Sequence, residues 1–423
     1  MSHDETATAL MPGGVPARRS AAPAPPPPPR SLAPDLARGM LLLLIASANV
    51  WGYLWSDDGR NEAGGRPAGG SALDHLVDGV VTLVADSHSR PMFAILYGFG
   101  LATIAGRLAA RGADRRATRG VLVRRGVGLV VLGLLHAALL YGGDILAPYG
   151  AAGLVALLFL HRSRTALLWW AGVAYAVSMT VGGIVLLLPS DPGAGDVAGA
   201  EATTTYLSSA LERVGATATV TTLYTLTLMF VPHLVVGILL ARAGWLTRPA
   251  EHRRRLGQVA AGAAALSLVG SLPYALAVAQ VWRPGHTPLA LAELVHHVAG
   301  DVMGLGYVCL FGWVAAVWGG RTGRGVVSAV TAVGERSLTC YLLQSVIFAP
   351  LLSDWGLGLG GRMSTAQAAL LAVGVWLVTV AVAVALRRAG SRGPFEVALR
   401  RVAYGRPRAE VRPAATSALP SAS

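Results

Sequence analysis

Hydrophobic residues fall along this chain in long blocks separated by short polar stretches, and the blocks set the expected structure. A helix that crosses a bilayer needs about 20 mostly apolar residues. Ten stretches reach or approach that length: 36–56, 91–110, 126–143, 147–161, 166–188, 219–243, 257–281, 295–318, 337–353 and 365–386. The expected fold is therefore all-α, a polytopic integral membrane helical bundle of about ten transmembrane helices. A further helix near 73–86 carries Asp74, Asp78 and Asp86, which assigns it to the membrane interface rather than to a crossing. No period of 20 to 50 residues recurs, so a solenoid is not expected.

Composition narrows the class further. Of 423 residues, 53% are hydrophobic and only 13% charged, a surface suited to lipid rather than water. The net charge of +13 would suit a nucleic-acid binder, but the basic residues, all of them Arg, sit in clusters between apolar blocks. With the N-terminus placed inside, 29 of the 35 Arg lie on the inner side and six outside, while Asp57, Asp58, Glu62, Asp191 and Asp196 lie in outer loops. That is the positive-inside pattern, and it predicts cytoplasmic N- and C-termini with no nucleic-acid partner. Absence of Lys with heavy Ala and Gly use points to a GC-rich bacterial host, hence a bacterial plasma membrane. Ala46-Ser47-Ala48 resembles a signal-cleavage site, but the segment before it is too long, so the first span reads as an uncleaved anchor. Residues 1–34, with prolines unbroken from Pro25 to Pro29, are expected to be a disordered Ala/Pro-rich cytoplasmic tail, 35–405 a single transmembrane domain, and 406–423 a second disordered tail. Cys309 and Cys340 stand alone in apolar runs, so neither a disulfide nor a metal site is expected. Walker A, HExxH and GxSxG motifs are absent.

Ionisable side chains inside spans cost about 2.5–3.5 kcal/mol each on insertion scales, so each needs a partner, a wet cavity or a role. In the first span Arg38 and Asn49 are eleven residues apart, roughly 16 Å along one helix face. Arg38 either anchors topology or grips a substrate group, and Asn49 either bonds a neighbouring helix or lines a site. In the third span His136 is followed by Asp144 in Gly142-Gly143-Asp144. A carboxylate could orient this imidazole as a general base. On a regular helix they would be roughly 12 Å apart, so a pairing requires a break at the glycines that folds Asp144 back. His233, the adjacent His296 and His297, and Asp301 are further intramembrane polar groups; adjacent histidines do not share a helix face, which disfavours a two-His metal site. Glu335-Arg336 reads as an interfacial ion pair and Gln344 as interhelical glue.

These residues fall in stretches that resemble the YeiB family of multispanning bacterial membrane proteins. The matching stretches are Asp35-Leu-Ala-Arg38-Gly39 with Asn49, Phe93-Ala-Ile-Leu-Tyr97-Gly98-Phe-Gly100, and Gly133-Leu-Leu-His136 followed by Gly143-Asp144-Ile145-Leu146 and Tyr149-Gly150. Further on come Gly237 with Ala243-Gly244-Trp245-Leu246, Gly334-Glu-Arg-Ser-Leu338-Thr339-Cys340-Tyr341-Leu342-Leu343-Gln344-Ser345, and Gly393-Pro394-Phe395-Glu396. The chain departs from the family pattern at Cys340, at Glu335-Arg336 and at Leu96-Tyr97-Gly98. The resemblance extends distantly to transmembrane acyltransferases. It implies transfer of an acyl group from a cytoplasmic donor such as acyl-CoA to an envelope or small-molecule acceptor, with no firm cofactor. On that reading His136, oriented by Asp144, deprotonates the acceptor. Asn49 or Gln344 donates to the oxyanion, and Arg38, Arg107, Arg111, Arg124 and Arg125 hold the donor's phosphates. A transporter or permease lined by the same polar groups, and a non-catalytic membrane assembly factor, remain the alternatives.

Overall fold

The computed structural model describes residues 31–56, 59–188, 206–318 and 325–405. The expected tails at 1–30 and 406–423 lie outside the described residues, as do Asp57, Asp58, Asp191 and Asp196. Fourteen α-helices and no strand occur among the described residues. They are α1 (Ala33–Asn49), α2 (Ala72–Val84), α3 (Ser89–Ala110), α4 (Arg115–Leu139), α5 (Leu146–Ala156), α6 (Arg164–Leu187) and α7 (Tyr206–Leu226). After these come α8 (Val231–Ala243), α9 (Arg253–Val278), α10 (His286–Trp318), α11 (Val326–Glu335), α12 (Ser337–Leu352), α13 (Thr365–Arg388) and α14 (Pro394–Tyr404). The chain is an all-α, polytopic membrane bundle.

Seven helical segments are long and apolar enough to cross a membrane, and nine if two bent pairs each count as one span. The expected span 219–243 is one of those pairs: α7 and α8 meet at 66°. The other is α11 and α12, which meet at 89° at Arg336, so the span expected at 337–353 begins at a sharp corner. The one remaining expected stretch, 147–161, forms only the eleven residues of α5, too short to cross. α1 starts at Ala33 with Pro34 in its first turn, so residues 33 and 34 are helical; proline's fixed φ suits that position. α1 also stops at Asn49, and a 3-10 turn, Val50–Tyr53, completes the apolar run.

Without a hydrophobic force between helices in lipid, close packing depends on small residues at the contacts. A side chain at Gly98 would collide with the Leu234 carbonyl of α8, and one at Gly237 with the Ile95 carbonyl of α3. α1 meets α11 in the same way, with Gly334 against the Asp35 carbonyl. The resulting core draws on α1, α3, α5, α8 and α12, with Leu41, Met92, Ile95 and Leu96 fully buried. Large apolar side chains on α6, α9 and α13, such as Trp169, Val269 and Leu370, point outward at 61%, 74% and 73% exposure, the face a bilayer covers.

α2 inverts the polarity expected of a water-facing helix. Leu73, Leu76, Val80 and Val84 form its exposed stripe, while Asp74 and Asp78 are buried. Asp74 closes a capping box with Ser71 and accepts from the Ala366 N–H at the start of α13. Asp78 pairs with Arg66 and accepts from Thr365. The acids that suggested an interfacial helix thus dock α2 against its neighbours.

Candidate active site

α4 carries His136 near its C-terminal end. The helix stops at Leu139, three residues before the Gly142-Gly143 pair, and the chain reverses through 140–145 before α5 begins. The reversal brings Asp144 back onto α4, where its Oδ1 lies 2.8 Å from His136 Nδ1. Both side chains are fully buried. Asp144 is pinned on its other side as well, since Oδ2 accepts from the Ala147 N–H at 2.8 Å, in the first turn of α5.

Gly133 makes this geometry sterically accessible. A Cβ there would sit 2.3 Å from the Ala147 nitrogen and 2.4 Å from Asp144 Oδ2, so any side chain would push α5 and its carboxylate away from α4. The two glycines of the reversal serve the same end, because a Cβ at Gly143 would strike the Tyr141 ring and one at Gly142 would meet Arg213.

The end of α4 leaves carbonyls without helical donors, and α7 supplies them. Arg213 donates to the Ala137 and Ala138 carbonyls, each at 3.0 Å, Tyr206 to that of Leu139, and Thr217 to that of Gly142. Residues distant in sequence thus hold the reversal in place.

A carboxylate can only accept, so the Nδ1 contact makes His136 the donor there, and in the neutral imidazole Nε2 then keeps its lone pair. Nε2 is buried and has no hydrogen-bond partner among the described residues. The imidazole lies beside Tyr341 of α12, ring centroids 5.3 Å apart, and Tyr341 in turn reaches the Ile145 N–H at 3.5 Å. Tyr141 stacks on Tyr53 at 4.5 Å and donates to the Asn49 carbonyl at 3.3 Å. Asn49 therefore joins this region through its backbone. Gln344, one turn beyond Tyr341, is buried and spends an amide N–H on the Leu42 carbonyl of α1 at 3.1 Å, as interhelical glue does.

The five arginines differ in their surroundings. Arg38 is partly buried and pairs with Asp35 at 3.0 Å, its guanidinium near Gly100 of α3. Arg107 and Arg111 are exposed at the end of α3. Arg124 donates to the Ala403 carbonyl and so caps α14, whereas Arg125 has its Nε buried and, among the described residues, unpartnered. A small cavity of about 10 Å³, between α5, α7 and α8, lies away from His136 and is lined by Tyr224 and Phe230 among others.

The corner between α11 and α12 is held by charge. Arg336 pairs with Glu335 at 3.0 Å, Glu335 also takes Arg387 at 3.1 Å, and Arg336 donates to the Ser391 carbonyl. Glu396 of α14 accepts from the Leu338 and Thr339 N–H groups at 2.7 and 3.0 Å and from the Thr339 hydroxyl, so it caps the helix that carries Tyr341 and Gln344. Replacing Glu396 by Ala removes these acceptors and should cost about 1 kcal/mol of stability. Urea unfolding in detergent checks this: the midpoint should fall for Glu396→Ala and recover in part for Glu396→Asp.

Among the described residues, no group of three or more His, Cys, Asp or Glu is arranged to hold a metal ion.

The family described as protein of unknown function (DUF418) matches residues 240–406 of this chain. The uncharacterized protein YxaH of Bacillus subtilis is 23% identical over 339 residues, covering 74% of this chain and 78% of that protein. The uncharacterized protein YeiB of Escherichia coli is 26% identical over 401 residues, covering 87% of this chain and 94% of that protein. No solved structure matches the chain.

Proposed function

We propose, for a chain that belongs to the YeiB-type family of membrane proteins, an acyltransferase activity in which His136 is the general base. The observation that carries this reading is the buried His136–Asp144 pair with its free Nε2. A buried imidazole oriented by a carboxylate through one nitrogen and open at the other is suited to proton abstraction near neutral pH.

In the proposed step the acceptor's hydroxyl or amine gives its proton to His136 Nε2 as its oxygen or nitrogen attacks the thioester carbonyl of an acyl-CoA. The new ester or amide bond forms, the C–S bond breaks, and the CoA thiolate leaves and takes up the proton. Asn49 and the remaining amide N–H of Gln344 are the candidate donors to the transient oxyanion. Arg38, Arg107, Arg111, Arg124 and Arg125 are the candidate phosphate contacts; among the described residues the buried Nε of Arg125 has no hydrogen-bond partner. Because Nε2 is buried, substrates reach it only after side chains packed around the imidazole, Tyr341 among them, move, and the corner at Arg336 is a point at which α12 can hinge. The bacterial plasma membrane, with both termini cytoplasmic, is the expected setting.

The bent pairs α7–α8 and α11–α12 favour a second reading, a small-molecule transporter, since interrupted helices often frame transport sites. One experiment separates the two. Purified wild-type chain in nanodiscs should release free CoA thiol from acetyl-CoA in the presence of membrane extract as acceptor, and His136→Ala should not. No thiol release, together with solute counterflow in proteoliposomes, would support transport instead.

A further inference from the structure

The turn between α2 and α3 delivers a second oriented imidazole to the bundle interior. Ser87 has φ +59°, a left-handed conformation that is costly for any residue but glycine. Gly300 of α10 lets the turn approach, since a Cβ there would strike the Ser87 carbonyl. Strain of this kind persists only where the surroundings hold it. Here Asp86, the residue before, is tied by its carboxylate to Arg66 and Thr82. His88, the residue after, is fully buried. Its Nδ1 meets the Asp86 carbonyl, and its Nε2 lies 2.8 Å from the Ser267 hydroxyl of α9.

A carbonyl can only accept, so His88 Nδ1 carries a proton; in the neutral imidazole Nε2 then keeps its lone pair, and Ser267 donates to it. A hydroxyl bonded to a base that a third group orients is the arrangement of an activated serine, here with a main-chain carbonyl where a carboxylate usually stands. Other intramembrane histidines are placed differently: His233 Nε2 pairs with Asp301 at 2.9 Å, and His297 Nδ1 lies 2.8 Å from the Glu293 carbonyl. Unspent polar atoms surround the Ser267–His88 pair. Ser271, one turn beyond Ser267 on the same face of α9, is fully buried, and its hydroxyl has no partner among the described residues. His296 of α10 is 1% exposed with both ring nitrogens likewise unpartnered, its ring centroid 5.6 Å from that of His88. Buried polar groups are rarely left unpaired, so two of them around one oriented hydroxyl point to a polar group that arrives there.

We propose that Ser267 is a covalent nucleophile toward lipophilic acyl esters, with His88 as its base and Ser271 and His296 as donors to the oxyanion. As Ser267 Oγ attacks the ester carbonyl, its proton passes to His88 Nε2. The Oγ–C bond forms, the C–O bond to the alcohol breaks, and the alcohol leaves with that proton. Water attacking the acyl-serine by the same route releases the carboxylic acid and restores the hydroxyl. The substrate is lipophilic because Leu266 and Leu268, on either side of Ser267, are exposed on the bilayer face of α9, so the ester arrives from lipid. The proposal stands apart from the acyl-transfer reading and uses none of its residues.

A decyl fluorophosphonate tests it, since an activated serine expels fluoride from phosphorus and keeps a stable Oγ–P bond. The full chain in nanodiscs is incubated with this probe, and the modified residue is located and timed by peptide mass spectrometry. The wild type should carry the adduct on Ser267. Labelling there should be about a hundredfold or more slower in His88→Gln and about tenfold or more slower in Ser271→Ala, with thermal unfolding confirming that each variant is folded. His136→Ala should fail to release CoA yet label at Ser267 as the wild type does, which separates this test from the transferase assay. If His88→Gln does not fold, Ser271→Ala carries the comparison. No adduct on Ser267 in the folded wild type, or a wild-type labelling rate in folded His88→Gln or Ser271→Ala, overturns the proposal.

Discussion

Replacing His136 by Ala is expected to lower acyl transfer by about a hundredfold or more, the usual contribution of a positioned general base. Asp144→Asn should do comparable damage while leaving the fold intact. Its side-chain oxygen can still accept from the Ala147 N–H, but an amide turned toward Nδ1 offers a donor and forces the proton to Nε2, where it blocks abstraction. The double variant should be no worse than His136→Ala, because members of one catalytic unit are strongly non-additive. Rates of CoA release at matched amounts of folded protein check this. Losses that multiply, or a His136→Ala protein of near wild-type rate, would make the pair a structural one.

The largest effect on stability is expected at Arg66. Its side chain is 2% exposed and bonds two carboxylates, Asp78 at 2.9 Å and Asp86 at 2.6 Å, while its guanidinium lies over the Trp51 ring at 5.4 Å. Asp86 also accepts from Thr82, so the cluster ties α2 to the loop before it and to the start of α3. Arg66→Ala strands two carboxylates in a buried setting and should cost about 3–5 kcal/mol, the range for breaking one partner of a buried ion pair. Adding Asp78→Asn should recover part of the loss, since it removes one of the stranded charges. Chemical unfolding in detergent reads both changes, and an Arg66→Ala midpoint equal to wild type would rule out a buried ion triad.

Much of the architecture could be read from hydrophobic blocks alone, because a bilayer imposes a length on every crossing. The places where that reading slipped share a physical cause. Hydropathy reports how apolar a stretch is, not where its backbone turns, so the corner at Arg336 and the bend between α7 and α8 were both hidden inside single apolar runs. The short helix α5 was hidden for the same reason, its eleven residues running into the apolar turn that follows.

The site divides along similar lines. His136 and Asp144 stood out as polar residues in an apolar span, and the glycines before Asp144 hinted at a reversal. Yet the groups that hold that reversal, Arg213, Tyr206 and Thr217, lie about 70 residues away with no local mark of their role. Arg66 was counted only as an outer-loop arginine. A buried partner set such as Asp78 and Asp86 emerges only when the loop folds over α2. Tyr341 carries a weak signal, lying within the family-like stretch Leu338–Ser345, but only the folded chain places its ring beside the imidazole.

The central claim, that Asp144 fixes His136 with Nδ1 protonated and Nε2 free, is tested most directly by nitrogen-15 solid-state NMR. The sample is the histidine-labelled protein in lipid, with the His136 signal assigned by its absence in His136→Gln. At neutral pH this account predicts a protonated Nδ1 and a bare Nε2, and predicts that Asp144→Asn transfers the proton to Nε2. A wild-type spectrum with the proton already on Nε2, or one that Asp144→Asn leaves unchanged, would contradict it.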